Sequence, residues 1–166
     1  TLLIYLLPHI VVLIPFYTIF FRLGMLDTYP PLILAYLTVT VPLGIWFLRG
    51  YLLTMSWETE EAAMIDGCTR LTALIKVVLP QALPGVLAVA MYAFTFGWQE
   101  FLYALVLTGS RTRTVPVELN VFISEVMIDW SSLMAATLLF ALPPACIFYI
   151  LQRYLISGLA GGGLKG

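Results

Sequence analysis

Four long apolar runs, at residues 2–21, 31–53, 79–108 and 133–156, leave this chain little choice of fold. The first holds 20 residues (21 − 2 + 1). At about 1.5 Å of rise per residue, a helix of that length crosses a hydrocarbon layer roughly 30 Å thick. The chain is 61% hydrophobic and only 10% charged, too apolar to close around one core in water. In a bilayer each span must satisfy its own backbone hydrogen bonds, so the runs are expected to be helices. Prolines at 8, 15, 42, 84 and 143–144 fall inside them and predict kinks. The expected fold is an all-α integral membrane protein, a kinked transmembrane helix bundle of about four spans.

The same composition narrows the function. A formal net charge of −1 gives no basic footprint for nucleic acid. Cys68 lies in a polar loop and Cys146 in an apolar run, so no disulfide is expected between them. One histidine, His9, stands alone, and no His/Cys cluster suggests a metal. No glycine-rich phosphate loop is present, and no nucleophile, base and acid fall together. No cofactor is expected, and no catalysis by this chain.

Between the second and third runs lies the long polar segment of residues 56–80, SWETEEAAMIDGCTRLTALIKVVLP. Ser56 is placed to cap a first short helix, with Glu58, Glu60 and Glu61 near its positive N-terminal end. Gly67 suits the left-handed turn that closes it. Thr69 is placed to cap a second helix, on which Leu71, Leu74, Ile75 and Val78 share one face. Pro80 then suits the first turn of the third span. An amphipathic pair between spans buries its stripe against the membrane surface, its own chain or a partner.

The residues Glu61-Ala62-Ala63, three more, Gly67, nine more, then Val77-Val78-Leu79-Pro80 resemble the EAA loop of ABC importer membrane subunits. Val77 stands where isoleucine is usual. Further features resemble the carbohydrate-uptake branch, including its maltose-type permeases. They are Asp66-Gly67, Gly97-Trp98-Gln99-Glu100, Leu151-Gln152-Arg153-Tyr154, and the glycine-rich end at 158–166.

The resemblance implies a single permease domain over 1–166, holding the last four of six spans. It implies a cytoplasmic loop at 56–80 that docks on ABC ATPase subunits, two copies per transporter. Coupling would rest on Glu61, Ala62, Ala63, Asp66, Gly67, Leu71, Leu74, Ile75, Val77, Leu79 and Pro80. The other implied partners are a sister permease or a second copy, an extracytoplasmic solute-binding protein, and the lipid bilayer. The solute would be a sugar or similar compound, and the setting a bacterial or archaeal inner membrane.

Gln99 and Glu100 stand well inside the third run, where a carboxylate costs about 2.5–3.5 kcal/mol on insertion scales. With Trp98 and Tyr103, they either line a translocation path or bond across helices as structure. If Glu100 and His9 formed an ion path, the chain would be a gradient-driven transporter or a channel instead. Placing 56–80 inside also places the C-terminus inside. The inner side then holds Arg49, Arg70, Lys76, Arg153 and Lys165, the outer side Arg22, Arg111 and Arg113. That is a weak positive-inside excess. Within the outer loop at 109–130, a short helix is expected in VPVELNVFISEVM, and the 158–166 tail is expected to be a flexible end.

Overall fold

The computed structural model describes residues 9–120, 123 and 129–162, with side chains for 10–120, 123 and 129–153. Every element in them is helical. In order they are α1 (His9–Arg22), α2 (Tyr29–Leu52), α3 (Glu58–Ile65), α4 (Arg70–Ala73), a π-helical turn (Leu74–Val78), α5 (Leu79–Gln99), α6 (Leu102–Leu107), α7 (Val115–Leu119) and α8 (Trp130–Gly162).

Among the described residues, three stretches are long and apolar enough to cross a membrane: Tyr29–Leu52, Arg70–Gln99 and Trp130–Arg153. Of the expected first span, the described part is the 14-residue α1. The side chain of His9 lies outside the described residues. Large apolar side chains face outward along these helices, among them Ile14 at 66%, Ile45 at 59% and Leu138 at 71% exposure. In water that surface would be untenable; in lipid it is the ordinary outer face of a bundle. Threonines on the helices do not break this pattern. Thr18, Thr38, Thr40, Thr108 and Thr137 each turn the hydroxyl back onto a carbonyl three or four residues earlier.

The chain forms two compact units, one of residues Thr1–Leu43 with Phe94–Cys146, the other of Gly44–Ala93 with Ile147–Gly166. The first is held by a small core of Leu13, Leu32, Ala35, Tyr103, Ala104, Leu107 and Val117. Leu13, Phe16 and Phe20 recur at helical spacing, so α1 presents one face inward; Leu13 and Phe20 are buried.

In the second unit, α2 and α5 meet through small residues. A Cβ added at Gly85 would sit 2.6 Å from ring carbons of Tyr51, closer than atoms can stand. Gly85→Val is therefore expected to force the helices apart, at a cost typical of overpacking, about 1–3 kcal/mol. Thermal unfolding in detergent checks this. A midpoint equal to wild type, or no relief on adding Tyr51→Ala, would contradict the close approach.

Several expectations need correction. The second short helix does not end before the third span. It passes through the π-turn, in which the Leu79 N–H donates to the Leu74 carbonyl, and continues into α5. Pro80 thus lies inside a continuous helix from 70 to 99, and not at the start of one. A π-turn beside a proline is a physical pair, because Pro80 has no N–H to give the preceding turn. The third run is in turn broken at Glu100-Phe101, between α5 and α6. In the outer loop the short helix is α7; residues 121–122 and 124–128 lie outside the described ones. α8 runs on to Gly162, so helix enters the segment expected to be a flexible end.

Candidate functional site

The segment 56–80 is built by local rules. Its first helix starts one residue later than a Ser56 cap implies, at Glu58 with Trp57 preceding it, yet the Ser56 hydroxyl still accepts the Glu58 N–H at 3.2 Å. Glu58, Glu60 and Glu61 fill its first turn. It closes on a paired hydrogen-bond turn: Cys68 N–H to the Ala63 carbonyl at 3.0 Å, and Gly67 N–H to that of Met64 at 3.1 Å. Gly67 carries the turn at φ +91°, left-handed backbone that favours glycine. Thr69 caps α4, its hydroxyl accepting the Thr72 N–H at 3.3 Å.

Where the two helices meet, Ala73 is fully buried. Arg70 Nε reaches Glu60 Oε1 at 3.5 Å, but the Arg70 side chain is 82% exposed. That ion pair contributes at most about 1 kcal/mol. The turn and the caps fix the angle.

Glu61, Ala62, Asp66, Gly67, Leu71, Leu74, Ile75, Leu79 and Pro80 are all exposed; Ala63 and Val77 are half-buried. The structure brings Glu61, on α3, and the apolar residues of α4 and the π-turn into one small helix pair. It adds two residues that sequence reasoning passed over. Ile65 is 86% exposed and Trp57 62%. Their signal was apolar character at the two ends of an acidic helix. Beneath α3 a cavity of about 170 Å³ is lined by Leu52, Met55, Trp57, Leu74 and Val78, with Glu60 at its edge. Exposed apolar side chains beside a carboxylate, on a rigid pair of helices, can bind another protein. They cannot do chemistry.

The break between α5 and α6 has its own construction. Glu100 sits just before α6, and both of its carboxylate oxygens accept helix N–H groups: Tyr103 N–H at 2.9 Å and Ala104 N–H at 3.1 Å. These are orphan donors of a helix start, so the carboxylate is an N-terminal cap. Tyr103 is 2% exposed and belongs to the core of its unit. The buried Tyr36 hydroxyl lies near the Glu100 carboxylate. Gln99 is exposed, and Trp98 packs against Phe94 and Phe140.

Asp27, in the connection between α1 and α2, ties two loops together. Its Oδ1 accepts the N–H of Gly109 at 2.8 Å and of Thr112 at 3.0 Å, with the Thr112 hydroxyl at 2.8 Å. Its Oδ2 accepts the Arg111 N–H at 3.1 Å. Asp27 holds φ at +57°, which aspartate and asparagine tolerate better than most residues. Burial pushes its carboxyl up, but the Thr112 hydroxyl and the three N–H groups outweigh that, and the net shift is below the usual 3.8.

A group whose folded pKa is depressed stabilises fully above its unfolded pKa and loses that contribution as pH falls through the folded value. Asp27→Asn keeps Oδ1 and the backbone preference and removes the charge. It is expected to lower the thermal midpoint at neutral pH, with the difference from wild type closing below about pH 4. A difference that persists at low pH would contradict this.

Comparison with known proteins gives a family. The model of the binding-protein-dependent transport system inner membrane component matches residues 1–161. A probable ABC transporter permease of Sinorhizobium fredii is 36% identical over 96% of this chain and 57% of its own length. An inner membrane ABC transporter permease protein of Escherichia coli, YcjP, is 35% identical over 98% of this chain and 59% of its own. The trehalose/maltose transport system permease protein MalG of Thermococcus litoralis is 37% identical over 87% and 53%. The chain therefore spans somewhat more than half the length of these relatives.

Proposed function

This chain belongs to the family of binding-protein-dependent transport system inner membrane components, and from that membership we propose that it is a membrane subunit of an ATP-driven importer for a sugar or sugar-like solute. A soluble binding protein delivers the solute outside. Two copies of a separate ATPase supply the energy inside, and a sister permease or a second copy completes the path. Relatives named for trehalose/maltose and sulfoquinovosyl glycerol support the sugar class. Residues 56–80 and the C-terminus face the cytoplasm.

One observation carries the coupling role. Exposed apolar side chains, Leu71, Leu74 and Ile75, and the exposed Glu61 stand on one helix pair whose second member runs without interruption into a membrane helix. In this reading Glu61 meets a basic or hydrogen-bonding group on the ATPase. Ala62 and Ala63 allow close approach, Asp66 and Gly67 form the bend, and the apolar residues are buried on docking. Val77, Leu79 and Pro80 pass the movement into α5. A helix transmits displacement along its axis, so closure of the ATPase halves would tilt α5 directly. The α5–α6 break lies on the translocation path. Gln99 offers its exposed amide there, and Trp98, Glu100 and Tyr103 shape the wall.

The energy source tests the proposal. With the full-length chain and its partners in liposomes, uptake is expected to require internal ATP and to continue when ionophores collapse the ion gradients. Uptake that stops with the gradients and ignores ATP would overturn it.

A further inference from the structure

Pro143 and Pro144 stand side by side inside α8. A proline has no N–H, so each withholds the donor that the carbonyl four residues earlier would use. Those carbonyls are Leu139 for Pro143 and Phe140 for Pro144. A carbonyl without a donor is costly among apolar side chains, and prolines persist in membrane helices where a neighbour supplies what is missing.

For one of the two, a neighbour does. The indole N–H of Trp98, at the end of α5, lies 3.1 Å from the Phe140 carbonyl oxygen. The same indole stacks on the Phe140 ring, with centroids 5.3 Å apart and planes at 15°. Phe94, one turn earlier on α5, flanks the indole at 5.4 Å. Tryptophan suits the position because it joins a broad apolar face to an N–H donor at its edge. Phenylalanine could stack there but could not donate.

The geometry points to Trp98 as the surrogate donor for the gap that Pro144 opens in α8, and so as the residue that ties α8, at its double proline, to the end of α5. Hydrogen bonds weaken steeply once distance and angle degrade. A shift of the end of α5 by about an ångström therefore releases the Phe140 carbonyl and loosens α8 at its double proline. On the importer reading, on which this role in transport rests, the latch makes the freedom of α8 at its prolines conditional on the position of the end of α5.

The test separates donation from packing. In the full-length chain assembled with its ATPase and any sister permease, every native cysteine of the assembly, Cys68 and Cys146 among them, is first changed to serine. Met134→Cys and Tyr149→Cys, both exposed on α8 either side of the prolines, then carry spin labels. The distance distribution across the two prolines is compared for wild type, Trp98→Phe, Pro144→Ala and the double variant. Trp98→Phe keeps a ring and loses the donor; Pro144→Ala restores a donor within the helix.

Trp98→Phe is expected to broaden the distribution and to slow ATP-driven uptake about fivefold, the factor one neutral hydrogen bond is worth. In the Pro144→Ala background the same change is expected to do nothing further. An unchanged distribution in Trp98→Phe would overturn the proposal, and so would a full effect that persists in the Pro144→Ala background. If the distances follow the expected pattern but the wild-type complex takes up nothing on ATP, the latch stands and the importer reading falls.

Discussion

Gly67→Pro is expected to abolish ATP-driven uptake while leaving the chain inserted in the membrane. Gly67 holds φ at +91°, and the proline ring confines φ to about −65°. The change also deletes the N–H that Gly67 gives to the Met64 carbonyl, and it displaces the partner bond from Cys68 to Ala63. Both closures of α3 fail together. The Thr69 cap follows two residues later, so α3 and α4 would no longer hold a fixed angle. Insertion is unaffected, because the membrane helices carry their own backbone bonds. A graded series sharpens the point. Nothing lies within 4 Å of a Cβ at Gly67, so only backbone strain opposes a side chain there. Left-handed backbone costs an ordinary residue about 1–2 kcal/mol, and asparagine less. Uptake is expected to fall in the order Gly, Asn, Ala, Pro. A proline variant that transports normally would remove the turn from the coupling account.

The second large effect is expected at Glu100. Glu100→Ala leaves the N–H groups of Tyr103 and Ala104 without an acceptor in apolar surroundings. Hydrogen bonds to a charged group contribute about 1.5–3 kcal/mol each, so losing two costs on the order of 3 kcal/mol. Because Tyr103, Ala104 and Leu107 carry the core of that unit, the loss propagates into its packing. Glu100→Gln keeps one oxygen acceptor and is expected to fall between alanine and wild type. The thermal midpoint in detergent is the measurement. If both variants changed uptake while stability stayed at the wild-type value, Glu100 would be a residue of the path alone and the capping role would be contradicted.

What could be read from the chain follows from how local each cause is. The turn at Gly67 and the cap at Thr69 depend on residues within a few positions, and both were legible. So was the helical, membrane-spanning character of the long runs, which composition and length decide. The break at Glu100 was only half legible. Its carboxylate stood out as a charge needing a partner, but the partners are backbone N–H groups that exist only once α6 begins at Leu102. The continuity of α4 into α5 was hidden because Pro80 reads as a helix start, and only the π-turn before it lets the helix continue.

Asp27 was hidden for a different reason. Its donors lie 82 to 85 residues away, beyond any local pattern. The Trp98 contact with Phe140, 42 residues distant, is of the same kind. Trp98 was singled out as a residue that lines a path or bonds across helices. The structure gives it the ring of Phe140 to stack on, and a carbonyl vacated by proline.

The central proposal is that the exposed helix pair of residues 56–80 receives the motor. The full-length chain would be purified with its ATPase and any sister permease, placed in liposomes, and ATP hydrolysis recorded with the binding protein and a panel of sugars. Hydrolysis is expected to rise with one sugar and its binding protein together, and Glu61→Lys is expected to abolish that rise with the chain still inserted. Stimulation undiminished in Glu61→Lys, or hydrolysis that responds to no sugar, would contradict it.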